Sequence, residues 1–501
     1  MMNHLMRTIL GLLSGPGLIL WLTTIVVPAS AQPESSAFTL TGMAASTPFA
    51  RDYQALTINP ANLDFETGYE QRSALGLFDF TASLYTELLT KQEILDNLLK
   101  KKKTPLNYEQ QLDQIDRLTM KQSAVDVDFM FFGNSIRTKK SGTFAFGIRD
   151  RVDYYTQLDR QLTELIWMGN QSSYFDSLVI ATQSGRDSVI ARPDQFNPDQ
   201  FTILQAFIAA DSAPSVKEIL GDSKLGFTWY REFNAAWGKR LLQTELFDFH
   251  IGIGAKFMVG QGIIQVDGST GEAYSSLSPI FQFDYSQLEN APENPSALEE
   301  NAPNLKPVGK GFGFDLGASM LVADHFIVNA AINDIGEMTW DGNIYELADG
   351  KLTDFDGAGL ESLDFGSMLN NFDGLDALLI WKGAETKTTR LNTTARFGIG
   401  YEQLQKLRVG FDVVAPMNDN KANLQRAVYN AGVEFTPWPW LHLQTGFSTG
   451  GNYASKMSAG IYFTAAGGGY EFGVATRDLL TLFNDDNPTL SLALGFLRFR
   501  F

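Results

Sequence analysis

In the stretch Phe249-His250-Ile251-Gly252-Ile253-Gly254-Ala255-Lys256-Phe257-Met258-Val259, every odd position through Val259 is apolar. The even positions are small, polar or charged apart from Met258. A period of two places these sets on opposite faces of a β-strand. The register recurs at Phe312, Phe314, Leu316, Ala318, Met320 and Val322 against Gly311, Gly313, Asp315, Gly317 and Ser319, and at Val125, Val127, Phe129 and Phe131 against Asp126 and Asp128. Alternation alone also fits a soluble sandwich with its apolar face inside.

Three further features favour a membrane barrel. The last strand alternates Leu497, Phe499 and Phe501 with Arg498 and Arg500 and stops on Phe501, which resembles the terminal strand of bacterial outer-membrane barrels. Trp229-Tyr230, Trp237, Trp340 and Trp438-Pro439-Trp440 stand at strand ends, where amphipathic rings meet the membrane interfaces. Counting strands from both ends, the long connections 83–121, 155–221, 261–308 and 341–387 fall on one side and short turns such as Ala323-Asp324 on the other. The expectation is an all-β transmembrane antiparallel barrel of about 14 strands; if a hairpin within 261–308 crosses the bilayer the count is 16. A turn at Asp267-Gly268 keeps that hairpin outside, because 261–267 is shorter than the roughly 9–11 residues a tilted strand needs.

The domain reading follows from the N-terminus. Arg7, the apolar run Thr8 to Val27 and Ala29-Ser30-Ala31 read as a signal peptide over 1–31, which implies export to the cell outer membrane. Residues 32–70 read as an N-terminal lumen hatch, and 71–501 as the barrel with helical extracellular inserts at 83–121 and 155–221. In the first insert Leu84, Leu88, Leu95 and Leu98 form a stripe before Lys100 to Lys103, a solvated helix end or a contact for lipopolysaccharide phosphate. In the second, Asn197-Pro198 and the Ser215/Glu218 pair read as helix starts.

Composition removes several function classes. With 39 Lys+Arg against 57 Asp+Glu the chain excludes a nucleic-acid partner. It has no cysteine and four histidines, so thiolate sites are absent and no cofactor or metal is expected. Acidic clusters at Asp485-Asp486 and Asp354 to Asp364 lack a calcium loop's spacing. Gly221-Asp222-Ser223 opens a strand rather than joining strand to helix, and His250, His325 and His442, all read as facing the lumen, assemble no nucleophile-base pair. The chain is therefore expected not to be an enzyme. Asp126, Asp128, Arg149, Asp248, Lys256, Asp315, Arg396, Arg408, Asp412 and Glu434 give the lumen face both signs of charge, a pattern that braces a plug or wall.

Ahead of the first strand stands Ala50-Arg51-Asp52-Tyr53-Gln54-Ala55-Leu56-Thr57-Ile58-Asn59-Pro60-Ala61-Asn62-Leu63. Asn59-Pro60-Ala61 with Leu63 resembles the N-terminal hatch of the long-chain fatty acid transporter superfamily, whose barrels have fourteen strands and a plug in the lumen. Gly311-Phe312-Gly313-Phe314-Asp315-Leu316-Gly317, Asn333-Asp334-Ile335-Gly336 and Trp340 are similar to an uncharacterised branch of that superfamily in Bacteroidetes, a sister of the branch that includes the type IX secretion shuttle barrel. The long inserts depart from the transporters.

The resemblance implies hatch-gated binding or transport of a hydrophobic small molecule, with outer-membrane lipid and the ligand as partners. The alternative is a non-transporting accessory barrel that docks secretion or surface-attachment proteins of the envelope through its outer inserts. Within the hatch, Asn59, Pro60, Ala61 and Leu63 are expected to make the turn. Arg51 and Asp52 are expected to pair with opposite charges among Asp126, Asp128, Arg396 and Arg408, because a charge in a narrow lumen is costly alone.

Overall fold

Strand alternation closes here into a single continuous wall. The computed structural model describes residues 37–65, 72–88, 90–92, 108–181, 187–192, 202–281, 294–299, 302–348, 350–357, 359, 381–403, 406–420, 423–451, 453–479 and 489–501. The signal peptide, Lys100 to Lys103, Asn197-Pro198 and Asp485-Asp486 lie outside them.

Fourteen antiparallel strands run in chain order: β1 Ser73–Thr86, β2 Gln122–Arg137, β3 Thr143–Gln157, β4 Lys224–Gln243, β5 Phe247–Asp267, β6 Gly309–Val322 and β7 Phe326–Trp340 form the first half. The second half is β8 Thr394–Gln403, β9 Leu407–Pro416, β10 Val428–Trp438, β11 Leu441–Gly450, β12 Tyr453–Ala465, β13 Tyr470–Thr476 and β14 Thr489–Arg500. Each pairs with its neighbours, and β14 returns to β1, with Leu77 opposite Leu497 and Ala74 opposite Arg500. Closure satisfies every strand edge, as a bilayer demands.

The faces decide between sandwich and membrane barrel. Phe312 and Phe314 on β6 are 61% and 55% exposed, while Asp315 between Phe314 and Leu316 is 1% exposed. Phe146, Phe233, Phe257, Phe397, Phe411 and Phe447 are likewise exposed on the outer face. A soluble protein would bury those rings; a lipid-facing wall presents them. On the outer face at one rim, Trp438, Trp440, Phe463, Phe472, Tyr470 and Phe499 form a chain of neighbouring rings 5.1–6.2 Å apart across β10–β14. This is an interfacial aromatic girdle.

At that rim the described links are short: 138–142, 244–246, 323–325, 439–440 and 466–469. The long connections join strand ends at the opposite end, the one the sequence reading takes as outer. His325 belongs to the short turn between β6 and β7, with its Nδ1 3.0 Å from the Glu402 carbonyl oxygen, and not to the lumen face where the alternation put it. Two residues of positive φ, Ala323 and Asp324, break the register there.

Among the described residues the inserts hold strands as well as helices, and Leu95 and Leu98 of the expected stripe lie outside those residues. Strand β1 continues to Thr86, into the first insert, before the helix Tyr108–Leu118. The second holds the helix Arg160–Met168 and the short helix Val216–Leu220, but also strands Ser177–Ala181, Asp187–Ala191 and Thr202–Phe207. Their β-branched residues Val179, Ile180, Val189, Ile190 and Ile203 favour a sheet, which Asp354–Phe355 completes from another insert. Ser215 and Glu218 form the expected capping box. The hairpin at 267–272 also forms: β5 runs to Asp267 and pairs with Glu272–Leu277, outside the barrel ring.

Candidate functional site

Residues 37–63 are all buried, inside the ring. They make a short helix Phe38–Thr41 and two 3₁₀ turns, Asp52–Thr57 and Pro60–Asp64. Asn59 caps the second turn: its Oδ1 accepts from Ala61 N at 3.0 Å, and Pro60 occupies the first helical position, where a missing N–H costs nothing. The Asn59 amide then donates to Ser319 Oγ at 3.1 Å, and Ser319 Oγ donates to Asn62 Oδ1 at 2.6 Å. Asn329 Nδ2 donates to the Thr47 carbonyl at 2.8 Å, while Thr47 N donates to Asp412 Oδ2 at 2.8 Å. Leu63 is buried in the core formed by the segment and the wall.

The wall accepts this segment because it lacks side chains where the segment passes. Among the described residues, twelve of the fourteen strands turn a glycine toward it. A Cβ on Gly432 would stand 1.7 Å from the Met43 carbonyl oxygen, and one on Gly317 2.0 Å from Asn59 Oδ1. The segment is thus fitted against bare backbone around most of the ring.

Charge ties the segment to the short-turn rim. Asp52 Oδ2 lies 2.6 Å from Arg498 Nη2, and Arg498 Nη1 lies 2.6 Å from Glu471 Oε2. Arg500 reaches both acids. Arg51 Nη2 lies 3.4 Å from Glu402 Oε2, and Glu402 Oε1 lies 2.8 Å from Arg408 Nη2. Burial pushes the Arg51 guanidinium down to about 10, against the opposing pull of Glu402. Tyr53 donates to Asp79 Oδ2 at 2.7 Å; burial and the Asp79 charge hold its hydroxyl well above the usual phenol range, so it remains a donor.

These pairings correct the expected ones. Neither Arg51 nor Asp52 pairs with Asp126, Asp128 or Arg396, and Arg408 is reached only through Glu402. The segment dips to the short-turn rim at residues 51–52, whereas Asp126 and Asp128 sit higher on β2, opposite Asp153 and Arg151 in register. Arg498 and Arg500 share one face of the last strand, a periodicity visible in the sequence once that face is read as lumen.

A second buried ionic cluster belongs to the wall alone. Arg149 lies 2.6 Å from both Asp128 and Glu232. Arg151 lies 3.3 Å from Asp334, while Lys256 contacts Asp334 and lies 3.0 Å from Asp315. Asp334 has a φ of +59° at a bulge where β7 carries an extra residue opposite Asp315, and its N–H donates to Asp315 at 2.8 Å. Toward the outer end, Met258, Met338, Trp340 and Leu391 form an apolar layer. Among the described residues no group of acids and histidines could hold a metal ion.

A model of a family of unknown function, DUF5723, matches residues 206–476. No curated protein matches the chain. Among solved structures it is similar to a mutant of the TodX monoaromatic hydrocarbon channel, at 11% identity over 93% of this chain and 99% of that one, with a TM-score of 0.43. It is also similar to the Ralstonia pickettii toluene transporter TbuX, at 11% identity over 94% and 99%, TM-score 0.42. A Pseudomonas aeruginosa FadL homologue matches at 10% identity over 93% and 97%, TM-score 0.36. At such scores the likeness carries no functional argument.

Proposed function

This chain belongs to DUF5723, a family of unknown function, and we propose that it is an outer-membrane barrel that binds or passes a hydrophobic small molecule through a lumen gated by residues 37–65. The observation that carries the reading is a lumen filled by a segment for which the wall has cleared a glycine ring. The segment is held by a few identifiable polar locks, at Asp52–Arg498, Arg51–Glu402 and Asn59–Ser319, so its release has a definite route. The apolar layer of Met258, Met338, Trp340 and Leu391 suits a hydrophobic ligand better than a hydrated ion.

The test is deletion of residues 38–63, with single-channel conductance in planar bilayers and large-antibiotic sensitivity in cells. A correctly inserted deletion variant should conduct well above the intact protein. If it conducts no better, hatch gating is wrong.

The second reading, an accessory barrel that docks secretion or surface-attachment partners, draws support from the folded outer sheet, on which Val189 and Leu204 are exposed. It expects Val189→Asp and Leu204→Asp to abolish partner attachment while leaving conductance unchanged. The tie to the type IX branch rests on the resemblance of Gly311–Gly317 and Asn333–Gly336 alone.

A further inference from the structure

Arg396 stands on β8 with its side chain on the lumen face, two residues from Gly398, whose inner side meets Thr47 and Pro48 of the hatch. It is 4% exposed, and its Nε and Nη1 have no hydrogen-bond partner among the described residues. Nor does any ion pair reach it there. The acid nearest in register, Asp412 on β9, is already engaged by Thr47 N and Asn430 Nδ2. On the neighbouring strand Asn333, opposite Thr394, is 1% exposed with both Oδ1 and Nδ2 unpartnered. A buried guanidinium without a counter-charge is costly, and an ordered water answers its N–H groups but not its charge. Among the described residues, Arg396 and, diagonally across the β7–β8 ladder, Asn333 keep these buried groups without a hydrogen-bond partner.

The approach to this pair is also unlike the rest of the molecule. Above it lies a cavity of ≈ 790 Å³ at the outer mouth, lined by Pro416, which pairs with Thr394, and by Arg390 and Asn423. Thr394 is two residues from Arg396, about 7 Å along a strand. The cavity lining carries two cations, Lys224 and Arg390, against one acid, Asp419, in a chain of net charge −18. A positive vestibule over an unpaired arginine draws anions.

We propose that Arg396 and Asn333 form an oxyanion site in the lumen immediately above the hatch, taking the carboxylate or phosphate group of a ligand that enters through the outer vestibule. The guanidinium donates to the oxyanion, and the Asn333 amide donates a further hydrogen bond. This deepens the proposed function, resting on the lumen as a binding path, and gives the ligand one anionic group.

The experiment uses the full-length barrel in detergent with the hatch intact. Benzoate and inorganic phosphate are titrated separately by calorimetry against the unsubstituted protein, Arg396→Gln, Arg396→Lys and Asn333→Ala. The expected result is binding of at least one anion at one site, weakened roughly tenfold or more in Arg396→Gln, less in Asn333→Ala, and partly kept in Arg396→Lys. Binding of benzoate alone assigns an organic carboxylate; binding of phosphate alone assigns free phosphate or a phosphate ester. If Arg396→Gln fails to fold, Arg396→Lys and Asn333→Ala carry the comparison. Absence of binding by both anions, or equal binding by the folded variants and the parent, overturns the site. An open pore on deleting 38–63 with no anion binding would sink this site while leaving hatch gating intact.

Discussion

The lumen contains two buried ionic clusters that look alike on paper and differ in what they join. The cluster around Arg149, Arg151, Lys256, Glu232 and Asp334 links wall strands to one another between β2 and β7: Arg149 bridges hydrogen-bonded neighbours, while Asp334 on β7 also ties in β3 and β5, which do not pair with it. The cluster of Asp52, Arg498, Arg500 and Glu471 joins the hatch to the last two strands. In the first, every member is fixed by the ladder, so the cluster stiffens a wall that does not move. In the second, one carboxylate sits on the segment that crosses the lumen, so under the proposed gating the same chemistry acts as a latch. On that reading, what a buried ion pair does depends on which element carries it.

The comparison can be broken first at the wall. Arg149→Ala leaves Glu232 buried beside Asp128 with one fewer cation, and should cost about 3–5 kcal/mol, read by urea unfolding in detergent with no gain in conductance. A large conductance rise in this variant would erase the distinction between the clusters. At the latch, Arg498→Ala should destabilise the folded barrel less, because Arg500 still reaches Asp52, but it should produce brief openings in single-channel records. A double-mutant cycle with Asp52→Asn should give a coupling of about 0.5–3 kcal/mol.

Gly432→Ala sharpens the point without touching a charge. Its new Cβ would strike the Met43 carbonyl, so the hatch must shift, and protease access to residues 38–50 in the folded barrel should rise. Unchanged protection would mean the glycine ring is not fitted to the hatch. The smallest effect belongs to Ser215→Ala in the outer cap, which removes the acceptor for Glu218 N and the hydroxyl donor to the Glu218 carboxylate, while the backbone N–H of residue 215, the larger cause of its lowered titration, still donates. Conductance should not change, and the Glu218 titration should move up only part of the way toward its ordinary value, as followed by NMR.

Strand count, orientation of the faces and the long-loop end were all legible, because alternation over Phe249–Val259 and its repeats needs no tertiary knowledge. The outer sheet was not. Its strands are five or six residues long, and a short apolar run such as Ser177–Ala181 reads equally as strand or helix until a partner is known. The turn at Asn59-Pro60 is local chemistry, a side-chain cap and a fixed φ, so its residues were visible. Their partners Ser319 and Asn329 were not, since they lie more than 250 residues away.

By itself, then, the sequence determined a barrel of about fourteen strands, its lipid-facing side and the turn in its N-terminal segment, because each follows from period-two alternation or from one residue's backbone limits. Only the tertiary structure decided which charges meet. Asp52 finds Arg498 and Arg500, and Arg51 finds Glu402, because the height at which the hatch crosses the lumen is set by where the wall has glycines. That height is a property of all the strands together, and no local pattern encodes it.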